Sequence, residues 1–240
     1  MLDDRPVSPA SPRTRSIGTV LFDLDGTLLD SAALILASCH HTMEAHGLPA
    51  LSDEEWLRHM GTPLTSHFAA WKDDRGTVDA MIATYRAFNL AHHDRMVRAF
   101  PGAVAMVEEL RAAGLAVGLV TSKMSHGALR GLRFIGLEGA MDVMVCADLV
   151  ANHKPHPEPV ETAVRLLGAD PAATVYVGDS IHDLRSGRAA GVLTAAALWG
   201  PFARGQLEPG EPDFWLEDPA DVLELARVGR PRAATSPGGE

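Results

Sequence analysis

Residues 19–30, TVLFDLDGTLLD, constrain this chain more tightly than any other stretch. Val20, Leu21 and Phe22 form an apolar run of the kind that fills a strand buried on both faces, and Asp23 ends it. Asp25 follows two residues on, and Gly26-Thr27 opens a turn. A carboxylate at the carboxyl end of a buried parallel strand faces the crevice where open α/β sheets bind ligands. Two carboxylates there favour a divalent cation. Gly26 lets the backbone approach a ligand closely, and amides around the turn can line an anion site. Taken alone, the two acids could equally cap a turn, as Asp often does, so the rest of the chain has to decide.

Beyond Asp30 the pattern changes from strand to helix. Leu34, Ile35, Cys39, Met43 and Leu48 recur at helical spacing until Gly47 and Pro49 break it. Residues 54–60, 64–71 and 78–91 are helical in character, and no strand is expected before Phe100. A helical insertion directly after the first strand predicts a small separate cap over residues 31–98. From Pro101-Gly102 onward, helices alternate with strands at residues 115–120, 143–146, 175–177, 193–198 and 214–216. That alternation implies right-handed crossovers and a parallel sheet covered on both faces. The fold class expected is therefore α/β, with a Rossmann-like core formed by residues 17–30 and 99–228. Residues 1–16 read as a disordered leader and 229–240 as a disordered tail. GxGxxG is absent, so dinucleotide binding is not indicated.

Composition narrows the partners. A net charge of -10 argues against a general nucleic-acid binder, which needs a basic face. It leaves an anionic substrate open, because a bound cation inverts the local field. No apolar run approaches a membrane span. Cys39 and Cys146 lie far apart without CxxC spacing, which points to buried thiols in a reducing cytoplasm rather than a disulfide or zinc site.

In a parallel sheet, residues at the carboxyl ends of separate strands collect along one edge. That edge would receive Asp23 and Asp25 from the first strand, and Thr121 and Ser122 from the second. Asp179, with Ser180 and Asp183 beyond it, would come from a later strand, and Lys154 from the loop HKPHPEP. Asp is a covalent nucleophile toward phosphorus in enzymes that form aspartyl-phosphate. Phosphoryl transfer needs chiefly positioning and neutralisation of spreading charge, which Mg²⁺, a lysine and hydrogen-bond donors supply. Singly, each residue has an ordinary structural use: Thr121 or Ser122 as a helix cap, Lys154 as a solvated side chain, Asp179 as a turn residue. Their shared position and order favour the chemical reading.

That order resembles the haloacid dehalogenase (HAD) superfamily, in DLDGT from Asp23, Thr121 after an apolar strand, Lys154 in KPHP, and GDSIHD from Gly178. The resemblance implies that Asp23 attacks phosphorus, and that Asp25 protonates the leaving oxygen and then activates water. Thr121, with Ser122 beside it, and Lys154 would hold the phosphate. Mg²⁺ would be bound by Asp23, the Asp25 carbonyl and Asp179, with Asp183 in support. YRAFNLAHHD near Tyr85, GLP and GTPL resemble the HAD-type pyrophosphatases, while FPG and GDS resemble the phosphoglycolate phosphatases. The expected partner is a small phosphorylated substrate, met in the cap by Arg86 or His93. A monomer or homodimer is expected. A phosphomutase, a sugar-phosphate phosphatase and a catalytically idle binding module of the same fold remain alternatives. The pairs His40-His41 and His92-His93 point about 100° apart on a helix and would not grip one ion together. Trp56, Trp71, Trp199 and Trp215 read as packing residues.

Overall fold

The computed structural model describes residues 16–57, 60–72 and 74–228. The expected leader, apart from Ser16, and the expected tail lie outside the described residues. The chain opens with β1 (Thr19–Phe22), followed by a two-residue strand β2 (Leu29–Asp30). Four helices come next: α1 (Ala32–Ala45), α2 (Asp53–Leu57), α3 (Leu64–Ala69) and α4 (Arg75–Met96). α1 buries Leu34, Cys39 and Met43 along one stripe and ends at Gly47, whose φ of 62° suits the left-handed turn that stops a helix. α4 starts at Asp74, whose carboxylate accepts from the Thr77 amide at 2.8 Å. Cys39, Met43, Trp56, Phe68, Val78, Met81, Ile82 and Tyr85 share one buried cluster, so this helical layer has an apolar centre of its own.

Strand β3 (Arg98–Ala99) returns the chain to the sheet. It pairs antiparallel with β2, Leu29 opposite Ala99 and Asp30 opposite Arg98. A strand therefore does precede Phe100, contrary to expectation. Two residues are too few to show a period, and the ribbon exists because the two crossings between sheet and helices lie side by side.

Then follow α5 (Ala103–Ala112), β4 (Ala116–Val120), α6 (Ser125–Phe134), β5 (Val143–Val145), α7 (Glu158–Leu167) and β6 (Thr174–Gly178). The chain continues through α8 (Ile181–Ala189), β7 (Leu193–Ala197), α9 (Arg204–Leu207), β8 (Phe214–Leu216) and α10 (Ala220–Val228). The sheet is parallel throughout, in the order β5-β4-β1-β6-β7-β8. Its strands alternate faces. Val20, Phe22, Val117, Leu119, Val175 and Val177 meet α5, α6 and α10. Leu21, Val120, Val145 and Tyr176 meet α7 on the other face. The α/β class and Rossmann-like core are thus as expected. α10 was not anticipated; Val222 and Ala226 place it on the larger cluster beside Val107 and Leu110.

The centre of the sheet is tightly filled. Gly118 sits opposite Leu21, and a Cβ there would lie 2.7 Å from both Leu21 Cδ2 and Val143 Cγ1. Gly118→Ala is expected to destabilise the fold by about 1–3 kcal/mol in urea unfolding, as overpacking does. Gly139→Ala, where a Cβ meets nothing within 4 Å, should stay within about 0.5 kcal/mol of the parent.

Candidate active site

The strand register puts the predicted residues on one edge. Phe22 is level with Leu119 on one side and Val177 on the other, and the Asp23 amide continues the ladder by donating to Val177 O at 3.0 Å. The residues just past each strand therefore stand abreast. Asp23, Asp179 and Asp183 bring one carboxylate oxygen each within 4.8 Å of one another, all three buried. Lys154 reaches into this group from the loop between β5 and α7. Its Nζ donates to Asp23 Oδ1 at 2.9 Å, to Asp183 Oδ1 at 2.6 Å and to the Tyr176 hydroxyl at 3.2 Å. It is 3% exposed, so it is no solvated surface lysine.

Each carboxylate is held differently. Asp183 is saturated: its Oδ1 meets Lys154 and Tyr176, and its Oδ2 accepts from the Ser180 amide at 3.0 Å and the Ser180 hydroxyl at 2.5 Å. The last two contacts belong to the capping box that starts α8. Asp179 accepts from Thr27 Oγ1 at 3.0 Å on Oδ1, while its Oδ2 is buried without a partner among the described residues. Gly26, at φ 89°, lies hard against that carboxylate; a Cβ there would overlap it. Asp25 faces away from the group. Lys123 donates to both its oxygens, at 2.7 and 2.9 Å, and Ser31 Oγ donates at 2.6 Å.

Burial drives the electrostatics. It pushes the Asp23 carboxyl up to about 7, although Lys154 pulls the other way, and the Asp183 charge adds to the rise. Asp179 is raised well above the carboxylate range by burial and then by Asp183 and Asp23. In Asp183, burial is outweighed by Lys154, so its carboxyl lies below its ordinary value. Asp25 is lowered too, because Lys123 and Ser31 overcome its burial. Fully ionised, the three clustered carboxylates would outnumber the one ammonium by two negative charges, and burial together with that crowding pushes Asp23 and Asp179 toward their neutral forms. A cation of two positive charges with oxygen ligands balances that excess, and the open Asp179 oxygen gives it a coordination point. The site is compatible with a divalent metal.

Above the acids lies a cavity of about 360 Å³ between the strand ends and the helical layer. Asp23, Asp25, Thr121, Ser122, Lys123 and Lys154 line its floor, and Gly61, Tyr85, Arg86, Asn89 and His93 line the opposite wall. Neither Thr121 nor Ser122 caps α6, which starts at Ser125. The Thr121 Oγ1 accepts from the Lys123 amide at 3.2 Å. Ser122 spends its hydroxyl proton on Gly61 O at 2.6 Å, tying the sheet edge to the helical layer. Arg86 is exposed, whereas His93 is buried with Nδ1 2.8 Å from Asp94 Oδ1. The neighbouring histidines separate as helical geometry requires: His40 meets Asp53 at 2.7 Å, and His41 and His92 stack on either side of Phe88. Trp56 packs as expected and Trp199 donates to Thr27 O at 2.9 Å, but Trp71 is 37% exposed.

Four polar residues of the site escaped the sequence reading. Lys123 stands two places after Thr121, close enough to the strand end to have been suspected. Thr27 and Ser31 look like ordinary turn and helix-start residues. Tyr176 lies inside an apolar strand, and nothing in TVYVG marks it as the partner of a lysine.

Comparison with known proteins agrees with this geometry. The sequence profile of the haloacid dehalogenase-like hydrolases matches residues 20–197. Pyrophosphatase PpaX of Oceanobacillus iheyensis is 41% identical over 210 residues, which is 88% of this chain and 97% of that protein. Pyrophosphatase PpaX of Anoxybacillus flavithermus is 40% identical over 89% of this chain and 98% of its own length. The fold is shared with a hydrolase from Pseudomonas syringae, at TM-score 0.80 and 25% identity over 89% of this chain and all of that one. A haloacid dehalogenase-like family hydrolase from Streptococcus pneumoniae superposes at TM-score 0.75, with 24% identity over 87% and 97% of the two chains. With its motifs on one sheet edge, its buried acids around a lysine and its profile matched over most of its length, this chain belongs to the haloacid dehalogenase-like hydrolases and is a phosphohydrolase.

Proposed function

We propose that the enzyme hydrolyses inorganic pyrophosphate by way of an aspartyl-phosphate on Asp23, with Mg²⁺ as its cation. The observation that carries the substrate is the identity of about 40% with pyrophosphatases over nearly their whole length. The cavity of about 360 Å³ suits a small anion. Asp23, the Asp25 carbonyl and Asp179 would hold the ion, and Asp183 acts through Lys154 and Ser180. When bound, the ion neutralises charge spreading over the phosphoryl oxygens and keeps Asp23 ionised.

In the first step an Asp23 oxygen forms a bond to phosphorus while the bond from phosphorus to the bridging oxygen breaks. Asp25, held ionised by Lys123 in the resting site, has first to leave that lysine and take up a proton, which it then gives to the bridging oxygen. In the second, water attacks the aspartyl-phosphate, Asp25 takes the water's proton, and phosphate leaves with Asp23 restored. Lys154 and Thr121 steady the phosphoryl oxygens from the floor. Ser122 lies beside them on the floor, and its hydroxyl reaches substrate only if it releases Gly61. Residues 31–98 act as a cap that excludes water, with Arg86 and His93 facing the substrate from above. A cytoplasmic setting fits the two buried, unpaired cysteines, Cys39 and Cys146.

Phosphate release should be measured on pyrophosphate, phosphoglycolate, sugar phosphates and nucleotides, with Mg²⁺ and with a chelator. Pyrophosphate is expected to lead in kcat/KM by about tenfold or more, with turnover lost in chelator. A faster reaction with phosphoglycolate would replace the substrate named here. Asp23→Asn should lose at least about 1000-fold in kcat. In metal-free buffer that variant should melt no lower than the parent, because it removes one of the crowded charges. Added Mg²⁺ should raise the melting temperature of the parent more than that of the variant. Near-parental turnover in Asp23→Asn would rule out the covalent route.

A further inference from the structure

We propose that Lys123 is the binding group for the leaving half of the substrate, and that a leaving group bearing its own negative charge draws Lys123 away from Asp25. The assignment rests on the aspartyl-phosphate reading, but not on pyrophosphate being the substrate.

Lys123 has a fixed base and a reach into the cavity. Its amide donates to Thr121 Oγ1 at 3.2 Å, and its carbonyl accepts from the Ala147 amide at 3.0 Å. Its stem runs along Gly127, where a Cβ would stand 3.4 Å from two of its carbons. Its ammonium contacts both oxygens of Asp25, with the two side chains 18% and 17% exposed. An Asp25 carboxylate gripped on both oxygens is not free to sit on the leaving oxygen of a substrate. For Asp25 to act there, at least one of the two contacts has to open, while the 2.6 Å bond from Ser31 can still orient it.

The substrate supplies the reason for it to open. Asp25 faces the leaving oxygen, so whatever is bonded to that oxygen comes to rest beside Asp25 and hence beside Lys123. In pyrophosphate that is a second phosphoryl group; in phosphoglycolate it is a carboxylate one carbon further on. Either would place an anion next to the Asp25 carboxylate. Like charges at such range repel strongly in a partly buried site, and an ammonium between them turns repulsion into attraction. The other cations of the cavity wall are less suited. Lys154 is engaged by Asp23 and Asp183, Arg130 donates to Asp94 at 3.0 Å, and Arg86 is exposed on the far wall. An uncharged leaving group has nothing to offer Lys123 in exchange, so the pair with Asp25 persists. The enzyme thereby selects anionic leaving groups.

The test compares parent, Lys123→Met and Lys123→Arg on pyrophosphate, phosphoglycolate and p-nitrophenyl phosphate, whose leaving group is uncharged in the ester and departs without a proton. Ratios between substrates within one preparation cancel any loss of folded protein. Lys123→Met is expected to lose about 100-fold or more in kcat/KM on the better anionic substrate, mainly through KM. On p-nitrophenyl phosphate the loss should be at least about tenfold smaller, because only the effect passed through Asp25 remains there. Lys123→Arg should recover part of the lost affinity. An equal loss on all three substrates would make Lys123 a support for Asp25 alone and overturn the proposal, as would an unchanged KM for the anionic substrates. If the parent works on phosphoglycolate but not pyrophosphate, the pyrophosphate reading fails and Lys123 is judged on phosphoglycolate. If it prefers neither anion to p-nitrophenyl phosphate, the Lys123 assignment falls.

Discussion

One buried ammonium organises this molecule. Lys154, at the end of a loop and almost wholly out of solvent, bonds to Asp23 and Asp183 and touches the hydroxyl of Tyr176. An unpaired charge at that depth would cost several kcal/mol, so the loop before α7 has to come in under the sheet edge for the acids to be tolerated, and the acids have to be present for the loop to come in. The compensation is incomplete, since one ammonium faces three carboxylates. The surplus burdens the folded chain, and a divalent cation would relieve it. Asp179, whose second oxygen is left open in a buried position, is where that burden is most visible.

The six ionic side chains at the edge divide into two circuits. Asp23, Asp179 and Asp183 gather around Lys154, while Asp25 turns toward Lys123 and Ser31. The division follows from the backbone. Residues two apart across the DxD turn leave the strand in different directions, and Gly26 bends the chain so tightly that Asp179 fills the space a side chain would occupy. One acid thus sits in the buried carboxylate cluster beside Lys154, and the other has its hydrogen bonds on a separate lysine and on Ser31. The two surroundings push these chemically identical carboxyls in opposite directions, Asp23 up and Asp25 down.

The helical layer contributes a wall rather than a floor. Its apolar cluster of Cys39, Met43, Trp56, Phe68 and Met81 is distinct from those of the sheet, but Leu34 joins the larger sheet cluster, and Met60 packs with Leu184 and Ala196 beside Ile35 and Leu57; its covalent connection to the sheet is the short β2-β3 ribbon. This layer presents Arg86, Asn89 and His93 to the cavity. The Ser122 bond to Gly61 joins the two across the cavity mouth, on the same loop that carries Lys123.

The amino-acid sequence by itself determined the architecture and the principal acids. Apolar runs ending in Asp or Gly-Asp, alternating with helical periods, admit little besides a parallel sheet with those residues at one edge, because right-handed crossovers leave every strand pointing the same way. Periodicity likewise placed the helical stretch between the first strand and the rest. What only the tertiary structure decided is the pairing. That Lys123 meets Asp25, that Tyr176 meets Lys154 and that Thr27 meets Asp179 depends on side chains 98, 22 and 152 residues apart. Strand order and register set those meetings, and no local pattern records them. The β2-β3 ribbon and α10 were hidden for a related reason. The ribbon is too short to show a period of its own, and α10 owes its place to the surface of α5 that it covers.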